Sequence, residues 1–335
     1  MGELSSTIRG MVRQGKGILA ADESLPTIAK RFSPFGIDST EETRRKYRAL
    51  LFSSPGIEEF ISGVILFEET LTQKDDEGRL LPELLSSKGI VPGIKVDKGT
   101  VSLAGSPGDK ITEGLDGLAG RLEKYKSQGA RFAKWREVYV IGEKNPSMLA
   151  IEANAEVLAR YAVICQEAGI VPVVEAEVLM DGDHGIERCS VVTESVLHAV
   201  FQALRRHGAM LECMVLKPSM VLPGKAFGSR ASPEEVAEAT VRVLRRTVPA
   251  AVPSINFLSG GQGPEEATAN LNAMNAILTN PPWALSFSYG RALQRTALEA
   301  WGGKSENAGP MQEAFMKRAR LNGLARRGQY RPEME

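Results

Sequence analysis

The stretch IVPVVEAE at 170–177 joins an apolar run of strand length directly to two glutamates. Residues two apart on a strand face the same side, so Glu175 and Glu177 project together from the end of this segment. Seven further segments of the same apolar kind occur along the chain. They are GILA (17–20), GVILF (63–67), VPGI (91–94), ARFA (130–133), MVL (214–216), VPSINFL (252–258) and ALSF (284–287).

The spacing of these eight segments predicts the architecture. Successive segments start about 30–45 residues apart, the room that a strand–helix–strand unit needs. Helix starts lie between them, and SPEE at 232–235 combines an N-cap serine, a proline at the first helical position and a capping-box glutamate. The sequence therefore predicts an α/β fold, a single (β/α)8 barrel domain over residues 1–335 with a short C-terminal tail. A doubly wound sheet is the rival, and its glycine-rich fingerprint is not found in the sequence.

The composition restricts the class of protein. The chain has 41 basic and 41 acidic residues and is 43% hydrophobic, which excludes a disordered chain and a dedicated nucleic-acid binder. Cys165, Cys189 and Cys213 form no CxxC pair, and the three histidines have no metal-ligand spacing. There is no run of membrane-spanning length and no apolar signal core, so we expect a cytoplasmic protein without a membrane partner.

Charged residues follow the apolar segments, where a barrel carries its chemistry. The same-facing pairs at three consecutive strand ends are Lys95 with Asp97, Lys134 with Arg136, and Glu175 with Glu177. Burying this much charge for stability alone is costly. A solvated loop charge explains any one of these residues, but it explains the whole set poorly.

Lys217 ends an apolar segment and is followed by Pro218. A lysine in a pocket beside another cation, such as Lys134, has an amine that can attack a carbonyl group. Glu175 and Glu177 are then available to transfer protons. From this chemistry alone, an ion-paired structural lysine is an equally supported alternative.

Two sets of residues suit phosphate groups. Glycines allow backbone N–H groups to approach an anion, and the loops after the last two strands form a recurrent phosphate site in such barrels. The residues at that position are Ser259, Gly260, Gly261, Gly290 and Arg291. A second site is predicted from Ser24, Thr27, Lys30, Arg31 and Lys95.

Six segments of the chain resemble class I fructose-1,6-bisphosphate aldolases. They are KGILAADES (16–24), GIKVDKG (93–99), FAKWR (132–136), LKPSM (216–220), FLSGGQ (257–262) and FSYGRAL (287–293). The resemblance runs from about Ile8 to about Tyr330. Glu68, where the muscle branch usually has histidine, resembles the plastid and bacterial branch.

The resemblance implies an activity and a set of roles. The activity is reversible cleavage of fructose 1,6-bisphosphate to dihydroxyacetone phosphate and glyceraldehyde 3-phosphate by a homotetramer, in glycolysis and gluconeogenesis, without a metal or another cofactor. The implied catalytic residues are Lys217 as the Schiff base, Glu175 as acid and base in imine formation, Asp22 as acceptor of the C4 hydroxyl proton, Lys134 in the charge relay, and Glu177 positioning Lys217. The implied substrate contacts on the side of the second phosphate are Ser24, Thr27, Lys95 and Arg136, and the implied contacts to the first phosphate are Ser259, Gly260, Gly290 and Arg291.

The sequence departs from the family pattern in three places. LPT at 25–27 replaces small polar residues, and we expect its proline to stiffen a loop. Ala176 stands where proline is usual. The sequence ends at Glu335 with Tyr330 as its last tyrosine, whereas the family usually has a longer tail whose terminal tyrosine exchanges a proton on the enamine. We therefore expect cleavage to persist with relatively slow enamine protonation, which tritium exchange into dihydroxyacetone phosphate measures.

Three alternatives stay open. The first is that the enzyme prefers sedoheptulose 1,7-bisphosphate. The second is that the chain is a non-catalytic barrel that binds phosphosugars or a protein partner. The third alternative is a metal-dependent enolising barrel that uses four carboxylates, namely Asp22, Asp97, Glu175 and Glu177.

Overall fold

A computed structural model describes residues 2–335. Its strands are β1 (Gly17–Ala21), β2 (Ile61–Leu66), β3 (Val91–Lys95), β4 (Thr100–Ser102), β5 (Lys110–Thr112), β6 (Phe132–Tyr139), β7 (Val171–Val178), β8 (Val215–Pro218), β9 (Ser254–Phe257) and β10 (Ala284–Tyr289). Eight of these strands close into a parallel barrel in the order β1, β2, β3, β6, β7, β8, β9, β10 and back to β1, while β4 and β5 form a separate antiparallel hairpin. The predicted (β/α)8 barrel is confirmed.

Helices surround this barrel. They are α1 (Gly2–Met11), α2 (Leu25–Phe32), α3 (Glu41–Ser53), α4 (Leu81–Ser87), α5 (Leu118–Ser127), α6 (Met148–Glu167), α7 (Ile186–Arg206), α8 (Pro233–Thr247), α9 (Pro264–Ile277), α10 (Arg291–Trp301) and α11 (Ala308–Ala325). The predicted start of α8 is confirmed, because the Ser232 hydroxyl accepts from Glu235 N and the Glu235 carboxylate accepts from Ser232 N. Across residues 2–335, no helix combines the length and the apolar character needed to cross a bilayer.

The sixth strand corrects one predicted boundary. The apolar pattern predicts a strand at 130–133, but β6 runs over Phe132–Tyr139 and contains Lys134 and Arg136. The apolar signal stops early because these two charged side chains lie in the barrel cavity, opposite carboxylates of neighbouring strands. In the barrel register, Arg136 is the partner of Glu175, and Glu175 is the partner of Lys217.

The N-terminal end of the barrel is apolar and covered by α1. Leu4, Ile8 and Met11 of α1 belong to one buried cluster with residues of the barrel strands. The strand residues of this cluster include Ile18, Ala20, Ile65, Phe132, Val171, Val173 and Val215. The Ser62 hydroxyl also donates to Met11 O at 2.6 Å, which ties α1 to β2. A second and larger apolar cluster fills the space between the barrel and the outer helices.

Candidate active site

The C-terminal mouth of the barrel contains a cavity of about 380 Å³. Fourteen of the predicted site residues line it, namely Asp22, Ser24, Thr27, Arg31, Lys95, Lys134, Arg136, Glu175, Glu177, Lys217, Ser259, Gly260, Gly290 and Arg291. Lys30, Asp97 and Gly261, which were also considered, are not part of the lining. Ala20, Glu23, Leu258 and Ser288 complete the lining. The strand ends therefore bring residues from distant parts of the chain to one place, as the alternation predicts.

Lys134 is the centre of the charge network. Its Nζ lies 2.8 Å from Asp22 Oδ2, 3.2 Å from Glu175 Oε2 and 3.7 Å from Asp97 Oδ2. Burial alone lowers the pKa of this ammonium, but the three carboxylates outweigh that effect and hold its pKa well above the ordinary value. Lys134 is therefore a permanent cation at neutral pH.

Asp22 is an ionised carboxylate on the wall of the cavity. Burial raises the pKa of its carboxyl, but the ammonium groups of Lys134 and Lys217 more than reverse this and hold the pKa well below its usual range. At neutral pH, Asp22 can only accept a proton. Proton transfer to Asp22 therefore requires a donor that becomes strongly acidic during the reaction.

Lys217 and Glu175 form the second pair of the network. Both side chains are buried, and Glu175 Oε1 lies 3.2 Å from Lys217 Nζ. The other oxygen of Glu175 faces Lys134, so one carboxylate bridges two ammonium groups. This arrangement places a proton-transferring group directly beside an amine.

Glu177 pairs directly with Arg136. Its carboxylate accepts a hydrogen bond from Arg136 Nε at 2.5 Å, and its expected role in positioning Lys217 stays a prediction. The register explains this pairing, because Lys217 is the partner of Glu175 and Glu177 extends past the end of β8. Glu177 therefore orients the Arg136 guanidinium at the rim of the cavity.

One end of the cavity is built from backbone and arginine. Gly260 has a positive φ of 54°, a conformation that glycine adopts without strain. Arg291 donates from Nη2 to Gly260 O at 2.9 Å, and Arg291 is also the first residue of α10, with Gly290 as its N-cap. The N-terminus of α10 and a guanidinium thus point at the same space, which favours an anion there.

The other end of the cavity carries hydroxyl groups and cations. Ser24 is the N-cap of α2, and its Oγ lies 3.0 Å from Thr27 Oγ1. The segment 25–27, expected to be a stiffened loop, is the first turn of this helix, where a proline is well tolerated. Lys95 lies nearby, with its Nζ 2.6 Å from Asp97 Oδ1.

Sequence reasoning missed Glu23, which is buried beneath Arg31. The Glu23 carboxylate accepts hydrogen bonds from Arg31 and, at 2.9 Å, from Gln294 Nε2. Arg48, itself fully buried, donates to Glu23 O at 3.0 Å. Strand alternation gave no signal for this residue, because Glu23 follows Asp22 by one position and is assigned to the opposite face. Asp97 was also underestimated, since the alternation identified it only as the neighbour of Lys95.

The acidic side chains of the site are not arranged as the metal-dependent alternative requires. Among residues 2–335, no group of three or more His, Cys, Asp or Glu side chains is arranged to hold a metal ion. Of the four carboxylates considered, Asp22, Asp97 and Glu175 surround the Lys134 ammonium, and Glu177 pairs with Arg136. A protein cation thus occupies the place that a divalent ion would take between them.

These features define a class of protein: a (β/α)8-barrel enzyme with a buried lysine at its C-terminal mouth, between two clusters suited to anions. The family model described as fructose-bisphosphate aldolase class-I matches residues 3–335. The chain belongs to the class-I fructose-bisphosphate aldolase family.

Individual relatives agree with this assignment. The chain is 56% identical to cytosolic fructose-bisphosphate aldolase 4 of Arabidopsis thaliana, over 96% of this chain and 82% of the relative. It is 57% identical to fructose-bisphosphate aldolase C of Homo sapiens, over 98% of this chain and 90% of the relative. The structure of the Plasmodium falciparum aldolase, solved with TRAP and a small-molecule inhibitor, matches with a TM-score of 0.97 at 51% identity, covering 98% of this chain and 95% of that one.

Proposed function

We propose that this enzyme cleaves fructose 1,6-bisphosphate reversibly to dihydroxyacetone phosphate and glyceraldehyde 3-phosphate through an imine on Lys217. The observation that carries the proposal is Glu175, which lies 3.2 Å from both Lys217 Nζ and Lys134 Nζ inside the cavity. Membership of the class-I aldolase family supports the same reaction.

In the first step, Lys217 Nζ attacks the C2 carbonyl carbon of the open-chain ketose. A nitrogen–carbon bond forms and the carbonyl oxygen becomes a hydroxyl group. The Lys217 ammonium loses two protons in this step. One passes to the carbonyl oxygen and makes the hydroxyl group; the other passes to Glu175, which returns it to that hydroxyl, so that water leaves as the iminium forms. The distance of 3.2 Å between Glu175 Oε1 and Lys217 Nζ supports this transfer.

In the second step, the C3–C4 bond breaks and its electron pair moves into the iminium, which becomes an enamine. Asp22 takes the C4 hydroxyl proton, and the aldehyde product forms. The cationic iminium withdraws electrons and so acidifies that hydroxyl, which compensates for the low pKa of the Asp22 carboxyl. Protonation of the enamine at C3 and hydrolysis of the imine then release dihydroxyacetone phosphate and restore Lys217.

The two ends of the cavity hold the two phosphates in this proposal. Ser259, Gly260, Gly290 and Arg291 bind the phosphate on C1, and the hydroxyl groups of Ser24 and Thr27 bind the phosphate on C6 with Arg31 and Lys95. Arg136, paired with Glu177, contacts the sugar between them. This arrangement orients the C2 carbonyl towards Lys217.

Trapping the imine tests the proposal. The enzyme is incubated with dihydroxyacetone phosphate and sodium borohydride in the presence of a chelator, and the product is mapped by peptide mass spectrometry. We expect one adduct, on Lys217, and none in the matched variant Lys217→Met. Folded protein without an adduct would overturn the imine mechanism and favour the metal-dependent or non-catalytic alternatives.

We also propose that the chain is one domain that assembles into a homotetramer in the cytoplasm. Exposed apolar side chains on α6 and α7, namely Met148, Leu149 and Val191, support an association surface. The cytosolic location named for the Arabidopsis relative supports the compartment. Light scattering at micromolar concentration tests the tetramer.

The narrower placement beside plastid and bacterial members of the family rests on Glu68. The plant cytosolic and animal relatives named above lend it no support.

A further inference from the structure

The loop that follows β8 is held rigidly at residues 224–226. Three consecutive backbone N–H groups donate to the loop after β7, from Gly224 to His184 O (2.8 Å), from Lys225 to Met180 O (2.8 Å) and from Ala226 to Gly182 O (2.9 Å). A Cβ on Gly224 would lie 2.3 Å from Gly182 O, so the two loops are in close contact. The backbone that presents Lys225 is therefore fixed in position.

The side chain of Lys225 packs against the glycine loop at the first phosphate end. A Cβ on Gly261 would lie 2.3 Å from Lys225 Cε and 2.6 Å from Lys225 Nζ. A side chain at position 261 would consequently displace the lysine. The carboxylate nearest to the ammonium is Asp181, with Oδ1 at 3.6 Å, and both side chains are largely exposed (49% and 70%). This ion pair is weak and leaves the ammonium able to act on other charges.

The loop 259–261 thus lies between two cations. Arg291 contacts Gly260 O at 2.9 Å, and Lys225 contacts Gly261 from a different loop. The first residue of α9, Pro264, follows shortly afterwards, so a helix N-terminus adds positive potential to the same segment. Lys225 does not line the cavity itself, so it acts through the loop and through space.

We propose that Lys225 is a positioning residue for the C1 phosphate: its ammonium fixes the loop 259–261 and raises the affinity of that loop for a phosphate monoester. This inference rests on the proposed function. The chain has a formal net charge of zero, so local cations must supply the attraction for a substrate with two phosphates. Asp181 partly neutralises Lys225 and opposes the effect.

The experiment compares Lys225→Met with Lys225→Arg, Asp181→Asn and the charge-matched control Lys46→Met. Lys46 lies on α3, is about as exposed as Lys225 (47%), and pairs with Glu42 away from the cavity. Two quantities are measured: KM and kcat for fructose 1,6-bisphosphate, and the Kd of dihydroxyacetone phosphate by calorimetry. Both are measured at about 0.01 M and about 0.15 M ionic strength, where the Debye length is about 30 Å and about 8 Å.

We expect Lys225→Met to raise KM and Kd about threefold to tenfold at the lower ionic strength, with kcat within twofold and a smaller effect at the higher one. Lys225→Arg should keep most of the affinity of the unmodified enzyme, and Asp181→Asn should lower KM. A change equal to that of Lys46→Met, or an equal loss at both ionic strengths, would overturn the inference. If the unmodified enzyme does not cleave the sugar, the proposed function fails, and the Kd values still decide the role of Lys225.

Discussion

The two ends of the barrel interior are built from the same strands and have opposite chemistry. On β7, Val171 and Val173 belong to the apolar cluster under α1, whereas Glu175 and Glu177 line the cavity. On β8, the change occurs within two residues, from Val215 to Lys217. One step of the strand period therefore separates the hydrophobic core from the catalytic machinery.

The comparison shows how a buried charged layer is tolerated. The apolar end gains free energy from each side chain that it removes from water. The charged end loses hydration free energy, and the loss is offset because Lys134 faces three carboxylates and Glu175 faces two ammonium groups. The apolar core thus stabilises the fold, and this stability offsets the free-energy cost of holding charged groups close together at the mouth.

The largest effect should come from the amine at the mouth. We expect Lys217→Met to reduce cleavage by about 10⁴-fold or more, because a methionine forms no imine. The free energy of unfolding should fall, but by less than in Lys134→Met, because Glu175 loses one cation and keeps Lys134 at 3.2 Å from its other oxygen. Steady-state kinetics and urea unfolding measure the two effects. Retention of substantial cleavage would disprove the central role of Lys217.

Lys134→Met should damage both activity and stability. The substitution leaves Asp22, Asp97 and Glu175 without their common cation, and breaking such a buried network costs about 3–5 kcal/mol. We expect cleavage to fall at least about a hundredfold, because the charges that order the reaction are lost. Calorimetric unfolding and kinetics at 25 °C provide the measurements. Full stability in this variant would mean that the network is not a single unit.

Phe132→Ala tests the opposite end of the same strand. The Phe132 ring lies over Gly93 and Gly63, so truncation leaves a cavity in the apolar layer. We expect a loss of about 3–5 kcal/mol in unfolding free energy. Because Phe132 lies in the layer below Lys134, we expect kcat to stay within about twofold. Phe132→Leu is the milder control, and a large fall in kcat without a loss of stability would contradict the division between the two ends.

The pH dependence of stability distinguishes two carboxyl groups: Asp22, which lies beside ammonium groups, and Glu137, which does not. Glu137 lies fully buried on the outer face of β6, with Trp135 Nε1 donating to it at 2.8 Å. Burial raises the pKa of Glu137 to about 8, whereas the pKa of Asp22 is held low by its ammonium neighbours. A folded pKa above the ordinary value means that stability falls as pH rises from about 4.5 to about 8.

The measurement is the unfolding free energy of the enzyme and of Glu137→Gln from pH 5 to pH 9. The enzyme should lose about 1.4 kcal/mol per pH unit relative to the variant up to about pH 8, and the difference should then level off. Parallel stability curves would show that Glu137 is ionised in the folded protein at neutral pH.

The sequence was most informative where the strand period places charged residues at the mouth. Apolar segments and alternation were sufficient to predict the barrel and most of the charged residues that line the cavity, with Glu23 as the exception. They were insufficient for β6, whose charged half has no apolar signal, and for the hairpin β4–β5, whose strands have only three residues each. The partner of Glu177 depends on where β8 ends, and the burial of Glu23 depends on helices α2, α3 and α10. Neither is encoded in a local pattern.

Because α1 covers one end of the barrel, it also determines the route by which molecules enter and leave the cavity. With that end closed by Leu4, Ile8 and Met11, substrate, products and hydrolytic water all use the mouth. In the proposed mechanism the aldehyde has no covalent link to the enzyme, whereas the other fragment stays bound to Lys217 until water enters through the same mouth. A molecule bound across the mouth would therefore stop uptake, release and hydrolysis together.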